Sequence, residues 1–337
     1  MPDQGFYQKA LNKQAQLTKP LGSLGLLEDI AVRLAAMQKT EKPAIEKVWV
    51  SVFAADHGIA EESVSAFPQV VTTEMVKNFA NESAAVNVLS RFVNADFEVI
   101  DVGLLAAVDI LGIIVERAGN GTANFAKQAA MTEEQLKIAL TTGKSAVERA
   151  IKQQSQLFIG GEMGIANTTS ASAIAVALTG LPVAQLTGAG TGLGEVAIQH
   201  KAKIIQQSLI LHQNFLENPL KVLQYLGGFE IAALLGAYIF SAQQGLPVLI
   251  DGFICSVAAL LAVKINPETK SWFFYAHRSQ EKGHQIVLEQ LQASPLLDLN
   301  MRLGEGSGAV AAVPLIQMAC KLHNEMATFE QAEITTQ

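Results

Sequence analysis

What most limits the possible folds of this 337-residue chain is the way its apolar runs end. Val48–Ala55 runs into Asp56-His57-Gly58, Phe97–Val102 carries Asp101 and is followed by Gly103, and Leu157–Ile159 leads to Gly160-Gly161-Glu162. Pro247–Ile250 and Trp272–Ala276 close in the same way, on Asp251-Gly252 and His277-Arg278-Ser279. Each run is short and almost unbroken in apolar character, the pattern of a strand buried on both faces. Longer, Ala-rich helical stretches lie between them: Val71–Val88, Glu133–Gln153, Thr169–Thr179, Glu195–Leu211, Phe229–Gln243 and Ser256–Lys264. This alternation predicts an α/β fold, a doubly wound, mostly parallel sheet with helices on both faces. In such a sheet the carboxyl ends of the strands share one edge, where ligands bind. Any single Asp or Gly after a strand is, on its own, an ordinary turn or cap. Leu24–Gln38 and Val310–Gln337 are helical without neighbouring strands. Residues 1–44 and 296–337 are therefore expected to make a small helical domain beside a large nucleotide-binding domain of residues 45–295.

Composition narrows the function classes. Half of the residues are hydrophobic and 16% are charged, enough apolar material for a large core and too much for disorder. Lys plus Arg number 24 against 31 Asp plus Glu, for a net charge of -7, and no basic block occurs. Nucleic acid is thus not the expected partner, and an anionic substrate has to be held locally by backbone amides and one or two cations. Cys255 and Cys320 have no metal-type spacing and read as small buried hydrophobes of a reduced, cytoplasmic protein. The opening MPDQGFYQKALNK lacks the apolar core of a signal peptide. Ile231–Ile250 is uncharged and long enough to span a bilayer, but the break at Gln243-Gln244-Gly245-Leu246-Pro247 divides it into a helix and a strand of a soluble core. No His/Asp/Glu cluster has metal-ligand spacing, so neither a metal nor a cofactor is expected.

Three glycine-rich stretches carry the chemistry. Gly160-Gly161-Glu162-Met163-Gly164-Ile165-Ala166-Asn167-Thr168-Thr169 joins a strand to a helix, and reads as a phosphate site in which glycines admit the ligand and Asn167, Thr168 and Thr169 cap the helix. A tight turn with an ordinary cap is the plainer alternative. Thr187-Gly188-Ala189-Gly190-Thr191-Gly192-Leu193-Gly194 precedes a helix bearing Lys201, and is either a flexible loop or the second half of an anion pocket. It misses the dinucleotide fingerprint, which needs glycine where Leu193 stands. Thr142-Gly143-Lys144-Ser145 imitates the end of a P-loop, but Ile138 replaces the first glycine and no strand precedes it, so it belongs to a helix. In Leu303-Gly304-Glu305-Gly306-Ser307-Gly308 one carboxylate sits among glycines ahead of an apolar helix. Glu305 is either a charge favoured by the helix dipole or a base of raised pKa.

Together these stretches resemble the nicotinate-nucleotide–dimethylbenzimidazole phosphoribosyltransferase family of cobalamin lower-ligand assembly. The matching segments are TKPLGSLGLLEDIAVRLA, ADHGIAEESVSAFPQVVT, GGEMGIANTTSASA, GAGTGL, LGGFEIAALLGA, DGFICSVAALLA, AHRSQEKGH and LNMRLGEGSGA, in order from residue 18 to residue 309. Ala166 stands where the family usually has Gly, and Glu195 where Asp is common. The resemblance implies transfer of a phosphoribosyl group from nicotinate mononucleotide to 5,6-dimethylbenzimidazole by a homodimer, with Glu305 as proton acceptor. It further implies that Glu162, Gly164, Asn167, Thr168, Gly190, Lys201, Asp251 and Ser279 hold the mononucleotide. Ser65, Pro68 and Leu303 are expected near the base. An α/β nucleotide-binding oxidoreductase is the competing expectation.

Overall fold

The computed structural model describes residues 1–335; the last two residues of the 296–337 segment and of the Val310–Gln337 run lie outside the described residues. Six strands, β1 (Val48–Ala55), β2 (Asp96–Gly103), β3 (Ile113–Val115), β4 (Leu157–Met163), β5 (Val248–Ile250) and β6 (Phe273–Tyr275), form one sheet. Its order is β3-β2-β1-β4-β5-β6, and every neighbouring pair is parallel. The chain builds outward from β1 to β3, then returns to the other side of β1 and builds outward again from β4. Val52 of β1 stands opposite Val99 of β2 on one side and Gly161 of β4 on the other. The order reverses between β1 and β4, and the carboxyl ends of the strands are the edge where open parallel sheets bind ligands. The central strands are buried on both faces, as their unbroken apolar runs require. The edge strand β3 was not apparent in the sequence because it is short and half exposed, so no continuous apolar run marks it.

Thirteen helices accompany the sheet among the described residues: α1 (Gln4–Gln16), α2 (Leu26–Gln38), α3 (Val70–Ala80), α4 (Ala85–Phe92), α5 (Glu133–Lys152), α6 (Asn167–Thr179), α7 (Val183–Leu186), α8 (Glu195–His212), α9 (Pro219–Leu226), α10 (Phe229–Gln244), α11 (Phe253–Ile265), α12 (His284–Leu291) and α13 (Ser307–Glu325). The single helix expected over Val71–Val88 is two, α3 and α4. Glu82 between them takes the left-handed conformation, and Asn87 turns back to accept a hydrogen bond from the Ala84 amide. The P-loop imitation lies inside α5. There Gly143 meets the backbone of Ala233 on α10, and Gly236 of α10 meets Leu140 in return, so side chains at either position would collide with the facing helix. Gly143 thus serves helix packing. The uncharged Ile231–Ile250 stretch divides at Gly245, which caps α10 with φ 76° before β5 begins. No helix among the described residues is long and apolar enough to cross a membrane. Cys255 and Cys320 are both buried and free.

The chain ends meet. Ile30, Leu34 and Met37 of α2 and Val310, Val313 and Ile316 of α13 join the core beneath the sheet. α1 packs on the far face of α2 through Ala10, Val32 and Ala35. Gln14 of α1 lies 2.8 Å from the His323 ring of α13, and Leu17 forms an isolated antiparallel bridge with Thr328.

Candidate active site

A cavity of about 390 Å³ opens at the carboxyl ends of β4, β5 and β6. Of the residues singled out from the sequence, Glu162, Gly164, Asn167, Thr168, Gly190, Ser279, Leu303 and Glu305 line it. Lys201, Asp251, Ser65 and Pro68 do not, and each is placed differently.

Glu305 sits in a bend of three successive left-handed residues, Gly304 (φ 90°), Glu305 (φ 67°) and Gly306 (φ 85°). Glycine adopts this conformation freely, but a residue with a Cβ does so at a cost of about 1 kcal/mol or more, so the bend has to be held from outside. Ser307 donates to the Gly304 carbonyl with its amide (3.0 Å) and its hydroxyl (2.6 Å). Asp251, just beyond β5, accepts from the Gly306 amide at 3.1 Å and the Ala309 amide at 2.7 Å. Behind the bend lies Gly161, where any Cβ would run into the Glu305 carbonyl. Glu305 itself is 5% exposed, and its Oε2 has no hydrogen-bond partner. Burial, with the Asp251 charge adding, pushes its carboxyl up to about 7. A carboxylate of that strength, aimed into a cavity, is suited to take a proton near neutrality.

Glu162 is the second carboxyl in the cavity. Burial comes first among the causes that hold it well above the ordinary range, with Glu230, Asp251 and Glu305 adding and the hydrogen bond from the Asn167 amide group opposing. That bond, Asn167 Nδ2 to Glu162 Oε2, is 2.5 Å long. Glu162 therefore keeps its proton to far higher pH than a free carboxyl does. Glu230 belongs to a buried pair that the sequence did not reveal. His57 Nε2 lies 2.6 Å from Glu230 Oε1, and His57 Nδ1 lies 3.0 Å from Ser170 Oγ. The Asp56-His57-Gly58 strand end was visible, but its partner is 173 residues away along the chain.

The expected phosphate loop is shorter than the sequence suggested. Gly160 and Gly161 lie within β4, and both serve packing: Gly160 makes room for Leu234 and Tyr238 of α10, Gly161 for the Glu305 bend. The turn proper runs from Gly164 to Ala166, with Asn167 and Thr168 opening α6. Ala166 adopts φ 77° at the start of α6 and makes no side-chain cap, while Asn167 is occupied by Glu162. In the first turn of α6 the Asn167 and Thr169 amides donate to the Gly164 and Ala166 carbonyls, which leaves the Thr168 amide and hydroxyl at the cavity wall as the groups an anion could meet. Lys201 stands behind this wall, fully buried, with its ammonium donating to Thr168 Oγ1 at 2.7 Å. Desolvation lowers its pKa to about 8, against the opposing pull of Glu281. Its burial was legible in principle: Lys201 shares a helical face of α8 with Ile204, Ile205, Ser208 and His212, all buried.

Ala166 explains a departure from the family pattern, because a left-handed position is one where glycine is the unstrained choice. Ala166→Gly should raise stability by about 0.5–1 kcal/mol, the relief of strain exceeding the added freedom of the unfolded chain. Thermal unfolding is expected to shift upward by about 1 °C for a chain of this size. An unchanged or lower midpoint would show that the alanine is not strained.

On the opposite wall Phe67, Val71 and Met75 form an apolar face, the last two from α3. Ser65 lies 3.1 Å from Thr191 Oγ1, which also accepts from the Ala66 amide at 2.9 Å, so the 64–68 loop is tied to the Gly-rich loop across the mouth. Pro68 is exposed, and Phe67 is the residue of that loop that reaches the cavity.

The DBI_PRT family model, described as "Phosphoribosyltransferase", matches residues 1–334. The nicotinate-nucleotide–dimethylbenzimidazole phosphoribosyltransferase of Pseudomonas putida (strain KT2440) is 51% identical over 333 residues, covering 98% of this chain and 95% of that protein. The protein of the same name from Pseudomonas syringae pv. syringae is 53% identical over 327 residues, covering 97% and 93%. The crystal structure of CobT from Thermus thermophilus superposes with a TM-score of 0.94 at 41% identity, covering 99% of this chain and all of that one. None of these relatives supports the oxidoreductase alternative. With a family model matching residues 1–334 and relatives about half identical over nearly all of its length, the chain belongs to the nicotinate-nucleotide–dimethylbenzimidazole phosphoribosyltransferase family.

Proposed function

We propose that this chain transfers the phosphoribosyl group of nicotinate mononucleotide to 5,6-dimethylbenzimidazole, giving α-ribazole 5′-phosphate and nicotinate, for the lower ligand of cobalamin. The observation that carries the reading is Glu305: a buried carboxyl pushed up to about 7, with one oxygen unpartnered, facing a cavity with an apolar wall on one side and a helix N-terminus on the other.

Each side of the cavity suits one substrate. The mononucleotide phosphate is assigned to the amide and hydroxyl of Thr168 at the start of α6, with Lys201 supplying positive charge from behind. The flat base is assigned to the face of Phe67, Val71, Met75 and Leu303. In the transfer, Glu305 takes the N–H proton of the benzimidazole while the other ring nitrogen forms its bond to the ribose C1′. The bond from C1′ to the pyridinium breaks, its electron pair passes to the pyridine nitrogen, and that ring leaves neutral at nitrogen without a general acid. Attack from the face opposite the pyridine produces the α-anomer. The negative charge that Glu305 carries before it takes the proton also favours the oxocarbenium character that develops at C1′.

The direct test is to incubate the protein with the two substrates and look for α-ribazole 5′-phosphate by mass spectrometry. Its absence, with both substrates intact, would refute the assignment. We further propose that the enzyme works as a homodimer in the cytoplasm, as its family resemblance implies. Sedimentation giving a single species near 36 kDa at micromolar concentration would count against the dimer.

A further inference from the structure

Asp251 was expected among the groups that hold the mononucleotide. It does not line the cavity; it is 1% exposed, and both of its oxygens are committed to the protein. Oδ2 accepts from the Gly306 amide and Oδ1 from the Ala309 amide. His277 lies beside it, with Nε2 3.5 Å from Oδ1, and the His277 ring packs so closely on Gly308 that a side chain there would collide with it. An aspartate from the end of β5 thus does for α13 what a local cap does for other helices, satisfying the first-turn amide of Ala309, which the cap residue Gly306 has no side chain to reach, and the amide of Gly306 itself. One of the two amides it holds, that of Gly306, belongs to the peptide bond that follows Glu305 directly.

We propose that Asp251 is a positioning residue that acts through Glu305, fixing the left-handed bend that aims the base and setting a negative charge close behind it. Other titratable or charged groups around the cavity are Glu162 on β4, Cys255 on α11, His277 and Glu281 after β6, and Arg302 on the loop that carries Glu305. Of these charges, Asp251 is the one that raises the proton affinity of Glu305 beyond what burial does. The inference rests on Glu305 being the proton acceptor.

The experiment compares the pH dependence of kcat/KM for wild type, Asp251→Asn, Asp251→Glu and Glu305→Gln, together with mononucleotide affinity by calorimetry. Asparagine keeps the shape and one acceptor oxygen but removes the charge. Ionisation of Glu305 then becomes easier, and the acidic limb is expected to move down by about one pH unit. The plateau kcat should fall by about 10-fold as the bend loosens. Mononucleotide affinity should stay within about 2-fold, since Asp251 is not at the cavity wall. Asp251→Glu keeps the charge with the wrong reach: its limb should stay at the wild-type pH while kcat falls, and this variant decides the matter if the asparagine form does not fold. An unmoved limb in Asp251→Asn, a shifted one in Asp251→Glu, or a loss of affinity above about 10-fold would overturn the inference. Glu305→Gln separates the two ideas. A limb that persists there removes the base assignment and this inference with it. A limb absent there yet unmoved in Asp251→Asn removes this inference alone.

Discussion

Glu305→Gln is expected to lower kcat by about 10²–10⁴-fold, the usual contribution of a positioned general base. The amide retains the shape of the side chain but cannot accept the benzimidazole proton. Affinity for the mononucleotide should be nearly unchanged, because its phosphate is assigned to the α6 end of the cavity. The same change should make the protein more stable above neutral pH. A carboxyl that titrates at about 7 when folded ionises less readily there than in the unfolded chain, where it titrates near 4.5. The folded state therefore bears no penalty below the unfolded pKa and a growing one as pH rises towards 7. Removing it should add on the order of 2–3 kcal/mol at pH 8 and little at pH 4.5. Thermal unfolding at pH 8 should rise by about 3–4 °C. Stability given up to keep a base in an apolar wall is a common trade at active sites. If the variant turns over at the wild-type rate, Glu305 is not the base. If it turns over slowly but unfolds as the wild type does at pH 8, Glu305 is not held as the structure indicates.

Gly161→Ala should cut kcat by about 10²-fold although residue 161 touches neither substrate. Its Cβ would press on the carbonyl of Glu305 and the amide of Gly306, and neither backbone atom can turn aside as a flexible side chain can. Gly161 also lies mid-strand, paired with Val52 of β1, so β4 cannot shift to relieve the clash. The bend must move instead, and a displacement of about 1 Å is enough to cost a reaction that factor. Overpacking of this kind should also cost about 1–3 kcal/mol of stability. Steady-state kinetics and thermal unfolding read the two effects separately. Normal turnover in Gly161→Ala would mean that the bend is free to adjust, and that its conformation does not set the rate.

Much of this protein could be read from the order of its residues. Strands of the central sheet declare themselves as unbroken apolar runs, since burial on both faces leaves no polar position between them. Their polar endings could be assigned to one edge because parallel connections return every strand in the same direction. Glu305 stood out because a lone carboxylate between glycines is locally unusual, and eight ordered segments tied it to a family. Other features depended on residues that meet only after folding. Asp251 looked like a ligand group until the structure turned its oxygens to amides 55 and 58 residues further along the chain. Gly160 and Gly161 read as a phosphate cradle, yet they are small because α10 and the Glu305 bend press on β4 from its two sides. The His57–Glu230 pair, the burial of Lys201 and the proton affinity of Glu305 share one origin. Each is set by which distant groups are brought close and how much water is excluded between them. Local pattern carries backbone periodicity and conformational permission; proximity and desolvation are properties of the packed molecule alone.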